Sequence, residues 1–176
     1  ESGRMRGFQL WINLPAAQKM TAPEYQDIRP QTIPEVNIEG TAVRVIAGDF
    51  NGQLGPVTDP NTNFHFLDVS LEAGVQFVHT VTENDTAFIY LVEGSMTVGG
   101  DALKEQQLAV LSNGEQVSVT GGSDAARFLL VTGSTIGEPV VQYGPFVMNT
   151  RDEINQALAD YRDGKLVQAK AGMISR

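Results

Sequence analysis

With 176 residues the chain has room for one domain with appendages and a substantial core. Its 41% hydrophobic and 19% charged content excludes a disordered chain, and its formal net charge of −9 excludes direct nucleic-acid binding, which needs a cationic footprint. The absence of cysteine removes disulfides, thiolate nucleophiles and Cys-ligated zinc and fits a cytoplasmic protein, and no apolar run approaches the ~20 residues that span a bilayer.

Residues Gly7–Leu14 (GFQLWINL) alternate loosely and are rich in aromatic and β-branched types, which predicts a strand ended by Pro15. The stretch from Ala16 to Pro34 is proline-rich and reads as a connector with a short helical turn near Ala16–Met20. From Gly40 onward, short strand-like runs recur: Ala42–Ala47, Phe64–Leu71, Val75–Val81, Ala87–Val92, Ser95–Val98, Gln107–Leu111, Gln116–Thr120, Arg127–Thr132 and Pro139–Tyr143. Turn signals separate them at Asp49–Gly52, Glu72–Gly74, Glu93–Gly94, Gly99–Asp101, Asn113–Gly114 and Gly121–Asp124. About nine strands at this spacing predict a sandwich or barrel, and nothing between them has the length of a βαβ crossover helix.

One helix is predicted near the end. Thr150-Arg151-Asp152-Glu153 is a capping box, with Thr150 as N-cap and Glu153 at N3. Ile154, Ala157, Leu158 and Tyr161 follow at i, i+3, i+4 and i+7 as one apolar stripe, and Gly164 supplies the stop. The helix is expected over Arg151–Asp163. Residues Lys165–Arg176 carry little pattern and are expected to be loosely held.

Two stretches carry a resemblance. The first is Gly7-Phe8-Gln9-Leu10-Trp11-Ile12-Asn13-Leu14-Pro15, followed by Lys19-Met20 and Pro23-Glu24-Tyr25-Gln26; the second is Glu138-Pro139-Val140-Val141-Gln142-Tyr143-Gly144-Pro145-Phe146-Val147-Met148-Asn149-Thr150. Both resemble the pirin family of two-cupin proteins, and Phe88-Ile89-Tyr90-Leu91-Val92-Glu93-Gly94 is similar to the cupin strand and turn that ends in glycine. The resemblance spans essentially the whole chain. It implies two jelly-roll cupin barrels facing each other, an iron-type metal in the N-terminal one, and quercetin 2,3-dioxygenase-like activity. In some members it implies binding to transcription regulators or metabolic enzymes.

The resemblance also implies that the metal ligands, three histidines and a glutamate, lie upstream of the GFQLW-like strand. Only Glu1–Arg6 stand there, none matching a ligand motif, and no ligand role is carried onto Glu1. The chain is therefore expected to be a truncated, all-β cupin: the last N-terminal strand plus connector over 1–38, a double-stranded β-helix jelly-roll barrel over 39–149, and a C-terminal α-helix and tail over 150–176. No cofactor is expected in this chain, since the family's C-terminal barrel is generally metal-free. Iron or another divalent metal is expected in the full-length parent.

A cupin metal site needs a His-x-His pair, a nearby glutamate and a later histidine, so that imidazoles and a carboxylate converge while leaving open positions. This chain has two histidines, His65 and His79, and neither belongs to such a pair. His79 follows Gly74 where a first ligand would fall, but Val81 stands two residues on; Glu83 comes soon after, and His65 shares a strand face with Leu67, Val69 and Leu71. The candidate triad is His65, His79 and Glu83. The competing reading, preferred here, makes His79 a vestige and His65 a rim or hydrogen-bonded histidine, with no metal, catalytic or cofactor-binding residue assigned.

Asp152 and Glu153 suit a helix N-terminus rather than catalysis. Ser95, Ser112, Ser118 and Ser134 lack a supporting His–Asp arrangement. Gly99-Gly100 and Gly121-Gly122 lack a phosphate-loop context and are expected to be hairpin turns. Trp11 is expected to be interdomain core. The functional expectation is a non-catalytic structural or interaction module; the alternative is part of a quercetin 2,3-dioxygenase-like enzyme whose site lies in an absent N-terminal cupin. Self-association or a protein partner is expected through an exposed Gly7–Leu14 strand.

Overall fold

Alternation decides the strands. Over Thr41–Ala47, Val43, Val45 and Ala47 are buried while the residues between them are only half-buried, the signature of a strand with one face on a core. The structure is a computed structural model describing residues 6–57, 62–167 and 172–174. Its strands run in chain order Glu24–Gln26 (β1), Glu35–Ile38 (β2), Thr41–Ala47 (β3), Asp49–Phe50 (β4), Gln53–Leu54 (β5), His65–Leu71 (β6), Gln76–Thr80 (β7) and Asp85–Glu93 (β8). They continue with Ser95–Val98 (β9), Asp101–Lys104 (β10), Leu108–Val110 (β11), Gln116–Gly121 (β12), Ala126–Ser134 (β13), Val141–Tyr143 (β14), Phe146–Met148 (β15) and Gly172–Ile174 (β16), with one α-helix, Arg151–Arg162 (α1), between the last two.

The chain divides into two compact units. The larger holds Pro23–Thr135 and Lys170–Arg176. Within it, six strands pair in the order β11-β8-β13-β6-β3-β2 and four in the order β10-β9-β12-β7. Successive strands jump between the sheets, as β8 to β9 and β12 to β13 do, which gives the jelly-roll weave. One core cluster joins both sheets: Leu67, Val69, Ile89 and Leu130 from the first meet Phe77, Met96, Val117 and Val119 from the second. Each such side chain, taken out of water, contributes roughly 1.5–3 kcal/mol. On the opposite face of β6 and β13, Arg127 forks onto buried Asp68 with hydrogen bonds of 2.9 and 2.7 Å.

The smaller unit holds Glu1–Ala22 and Ile136–Ala169. Here α1 packs on the β14–β15 hairpin. Its capping box is complete: Glu153 N donates to Thr150 Oγ1 at 3.2 Å and Thr150 N donates to Glu153 Oε2 at 2.7 Å. Ile154 and Ala157 are buried, and the Tyr161 ring sits edge-on to Phe146. The helix ends at Arg162, with Asp163 as C-cap. Glu138 gathers the two resemblance-bearing stretches, its Oε2 accepting from Ala16 N at 2.7 Å and from Asn149 Nδ2 at 2.8 Å.

Three expectations differ from the structure. Gly7–Leu14 lies outside every assigned strand, because alternation supplies a face but only a ladder makes a strand. Trp11, in the same segment, is 64% exposed on this chain. Gly99-Gly100 is a hairpin, both residues at positive φ between paired Val98 and Asp101, but Gly121-Gly122 is not: the chain crosses there between sheets, Gly122 N donating to Ser95 O at 2.8 Å. In the tail, β16 pairs in parallel with β1, which needs only backbone groups and leaves no side-chain pattern to read. The expectations for Glu1, for residues 168–171 and for 175–176 lie outside the described residues.

Candidate functional site

The two histidines come together at the barrel mouth. His65 opens β6 on the face that carries buried Leu67, Val69 and Leu71, and His79 sits on β7 on the face of buried Phe77. Their ring centroids are 5.8 Å apart, edge to face. Facing them is the β4–β5 hairpin, whose two-residue Asn51-Gly52 turn has both residues at positive φ, as a type I′ turn demands. It brings Phe50 to 5.7 Å from the His79 ring and 5.8 Å from Phe77, so an aromatic stack caps the core. Asp49, from the same hairpin, lines the open side, and the cleft has a volume of about 310 Å³.

Each ring has a local reason for its position. Gly48 takes φ +80, and a Cβ there would run into the His65 ring, so only glycine lets that imidazole lie on the backbone. Buried Thr132 is paired opposite His65 in the ladder, its Oγ1 3.4 Å from Nδ1. Burial holds the His79 imidazole down to about 4, with His65 pushing the same way and Asp49 pulling back. At neutral pH the ring is therefore uncharged.

The third candidate does not join the two histidines. Glu83 is exposed in the turn between β7 and β8. Among the described residues no three His, Cys, Asp or Glu side chains are grouped so as to hold a metal ion. Two imidazoles lacking a converging third donor do not fit the cupin metal set, and no reaction step is derived through one. Asp49, Phe50 and Thr132 were not among the sequence candidates. The Asn51-Gly52 dipeptide was the signal for the hairpin that places the first two; nothing local marks Thr132, which is next to His65 only across a ladder.

No helix among the described residues is long and apolar enough to cross a membrane.

Comparison with known proteins adds three findings. The sequence profile of the family described as "Pirin C-terminal cupin domain" matches residues 66–167. The chain is 44% identical over 172 residues to "Putative quercetin 2,3-dioxygenase PA3240" of Pseudomonas aeruginosa, covering 93% of this chain and 60% of that protein, and 36% identical over 164 residues to "Pirin" of Homo sapiens, covering 90% and 56%. A crystal structure of "Quercetin 2,3-dioxygenase from Acinetobacter baumannii" superposes with a TM-score of 0.81 at 34% identity, covering 89% of this chain and 55% of that one. The chain thus spans about 60% of the length of the curated relatives it matches.

Proposed function

This chain belongs to the pirin family, through that family's C-terminal cupin domain, and from this premise we propose that it is a non-catalytic structural or protein-interaction module. The observation that carries the reading is the composition of the barrel mouth. Two histidines meeting edge to face, one held uncharged at neutral pH, and a Phe50–Phe77 stack make a capped core end, not a three-donor metal set among the described residues. Purified chain is expected to hold no stoichiometric iron and to leave flavonols unoxidised. Near-stoichiometric iron, with turnover, would overturn it.

The interaction role is supported by Leu10, Trp11 and Ile12, which are 37%, 64% and 40% exposed in consecutive apolar positions. The segment pairs with another chain or another barrel, and the chain self-associates in dilute solution. Sedimentation should show a concentration-dependent species that Trp11→Ser weakens; a monomer at all concentrations would contradict this.

A second reading is favoured by two relatives, one named a putative quercetin 2,3-dioxygenase and the other a quercetin 2,3-dioxygenase. In it the chain is the C-terminal part of a metal-dependent, quercetin 2,3-dioxygenase-like oxidoreductase whose active site lies in an N-terminal cupin holding iron or another divalent metal. Replacing upstream histidines in such a parent should abolish turnover. Retained turnover would relocate the site to the residues described above.

A further inference from the structure

We propose that the Asn113–Gly114 step is a site of spontaneous backbone modification, in which Asn113 converts through a succinimide to aspartyl and isoaspartyl residues. We propose equally that the chain's other Asn-Gly step, Asn51–Gly52, is protected by its fold. In the reaction the Gly114 backbone nitrogen attacks Asn113 Cγ and gives up its proton to solvent base. The Cγ–Nδ2 bond breaks, ammonia leaves, and water then opens the ring at either carbonyl. No oxidant or catalyst is required.

The two steps share a dipeptide and differ in everything that controls attack. Asn51 sits at φ +51 in the two-residue turn, pinned by the ladder pairs Phe50–Gln53 and Asp49–Leu54. The Gly52 N–H, which would have to become the nucleophile, donates to the Asp49 carboxylate at 3.2 Å. A carboxylate acceptor disfavours loss of that proton, and the hairpin blocks the backbone rotation that brings the nitrogen to Cγ. Asn113, by contrast, is exposed in the link from β11 in one sheet to β12 in the other. Neither residue is in a strand, Gly114 has ordinary negative-side backbone geometry, and no atom would crowd even a Cβ placed on it. No hydrogen bond of either residue is recorded among the described residues.

The product matters because Asn113 stands just ahead of β12. An isoaspartyl link adds a backbone methylene and a carboxylate beside Glu115, whose carbonyl accepts from Val81 N at 3.0 Å. Immediately after it, Gln116 and Val117 pair with Thr80 and His79. The altered link therefore pulls on the end of the β7–β12 ladder that holds His79, in a chain already at −9.

The test is incubation of the folded chain at mildly alkaline pH, with peptide mapping by mass spectrometry and methyl incorporation by an isoaspartyl O-methyltransferase. A urea-denatured sample serves as reference. The folded chain should convert at Asn113 severalfold faster than at Asn51, with the two rates converging in urea. Gly114→Ala, which has room and needs no unusual φ, should slow Asn113 severalfold while leaving the melting curve unchanged. Equal rates in the folded chain, a silent Asn113 beside a converting denatured sample, or an unaffected Gly114→Ala variant would each overturn the proposal.

Discussion

Burial is what makes the His79 imidazole unusual, holding its protonation down to about 4 against an ordinary 6.5. The unfolded chain therefore takes up this proton first as pH falls. The associated stability is whole above 6.5 and drains away as pH drops toward 4, the folded value. The ring is part-exposed, so after allowance for solvent screening the loss is about 1–2 kcal/mol. Proton NMR should show one histidine titrating near 4, and His79→Phe should flatten the fall in urea midpoint over that window; an unchanged slope would mean another group sets the acid response. Gly48 offers a second residue-scale test. Gly48→Ala forces both an unfavourable φ and a clash with the His65 ring, and should cost more than about 1 kcal/mol and shift the His65 resonances. His65 and His79 were legible as candidates for one site, but whether they meet depends on β6 and β7 facing each other across a barrel, which no local pattern decides.

At the scale of elements, α1 and the Gly7–Leu14 segment make the contrast. The helix was readable to within a residue because everything that specifies it is local: Thr150 and Glu153 satisfy each other's backbone groups, and the stripe is fixed by helical period. Thr150→Ala should lower the stability of the helix-bearing unit by about 1 kcal/mol, seen as a lower denaturant midpoint for the Tyr161 environment. Ile154, buried against its own unit, should cost more as Ile154→Ala, roughly 2–5 kcal/mol in the same measurement. Gly7–Leu14 has a strand-like composition with loose alternation and no strand. Its alternation states which residues share a face but cannot supply a ladder. Asp101–Lys104 shows the reverse: it has little alternation, yet it pairs fully with Ser95–Val98 once Gly99-Gly100 turns the chain.

At the scale of the whole molecule, stability of the larger unit should reside in the one core cluster that both sheets share. Leu130, fully buried and central to the six-stranded sheet, should cost roughly 2–5 kcal/mol as Leu130→Ala, whereas Val110→Ala, at 73% exposure on the edge strand, should stay within about 0.5 kcal/mol. Urea melts of the two variants separate these outcomes; equal losses would mean the edge is held by something other than its own barrel. The all-β class, the capped helix, most strand positions and the family resemblance were legible in the residues alone, since period, turn chemistry and capping act within a few residues. Strand pairing, the tie of Ala16 to Asn149 through Glu138, and the meeting of His79 with both His65 and Phe50 while Glu83 stays in solvent came from the fold alone. Those outcomes depend on contacts between residues far apart in the chain, and a barrel closes such contacts through ladders that leave no mark on any single stretch of sequence.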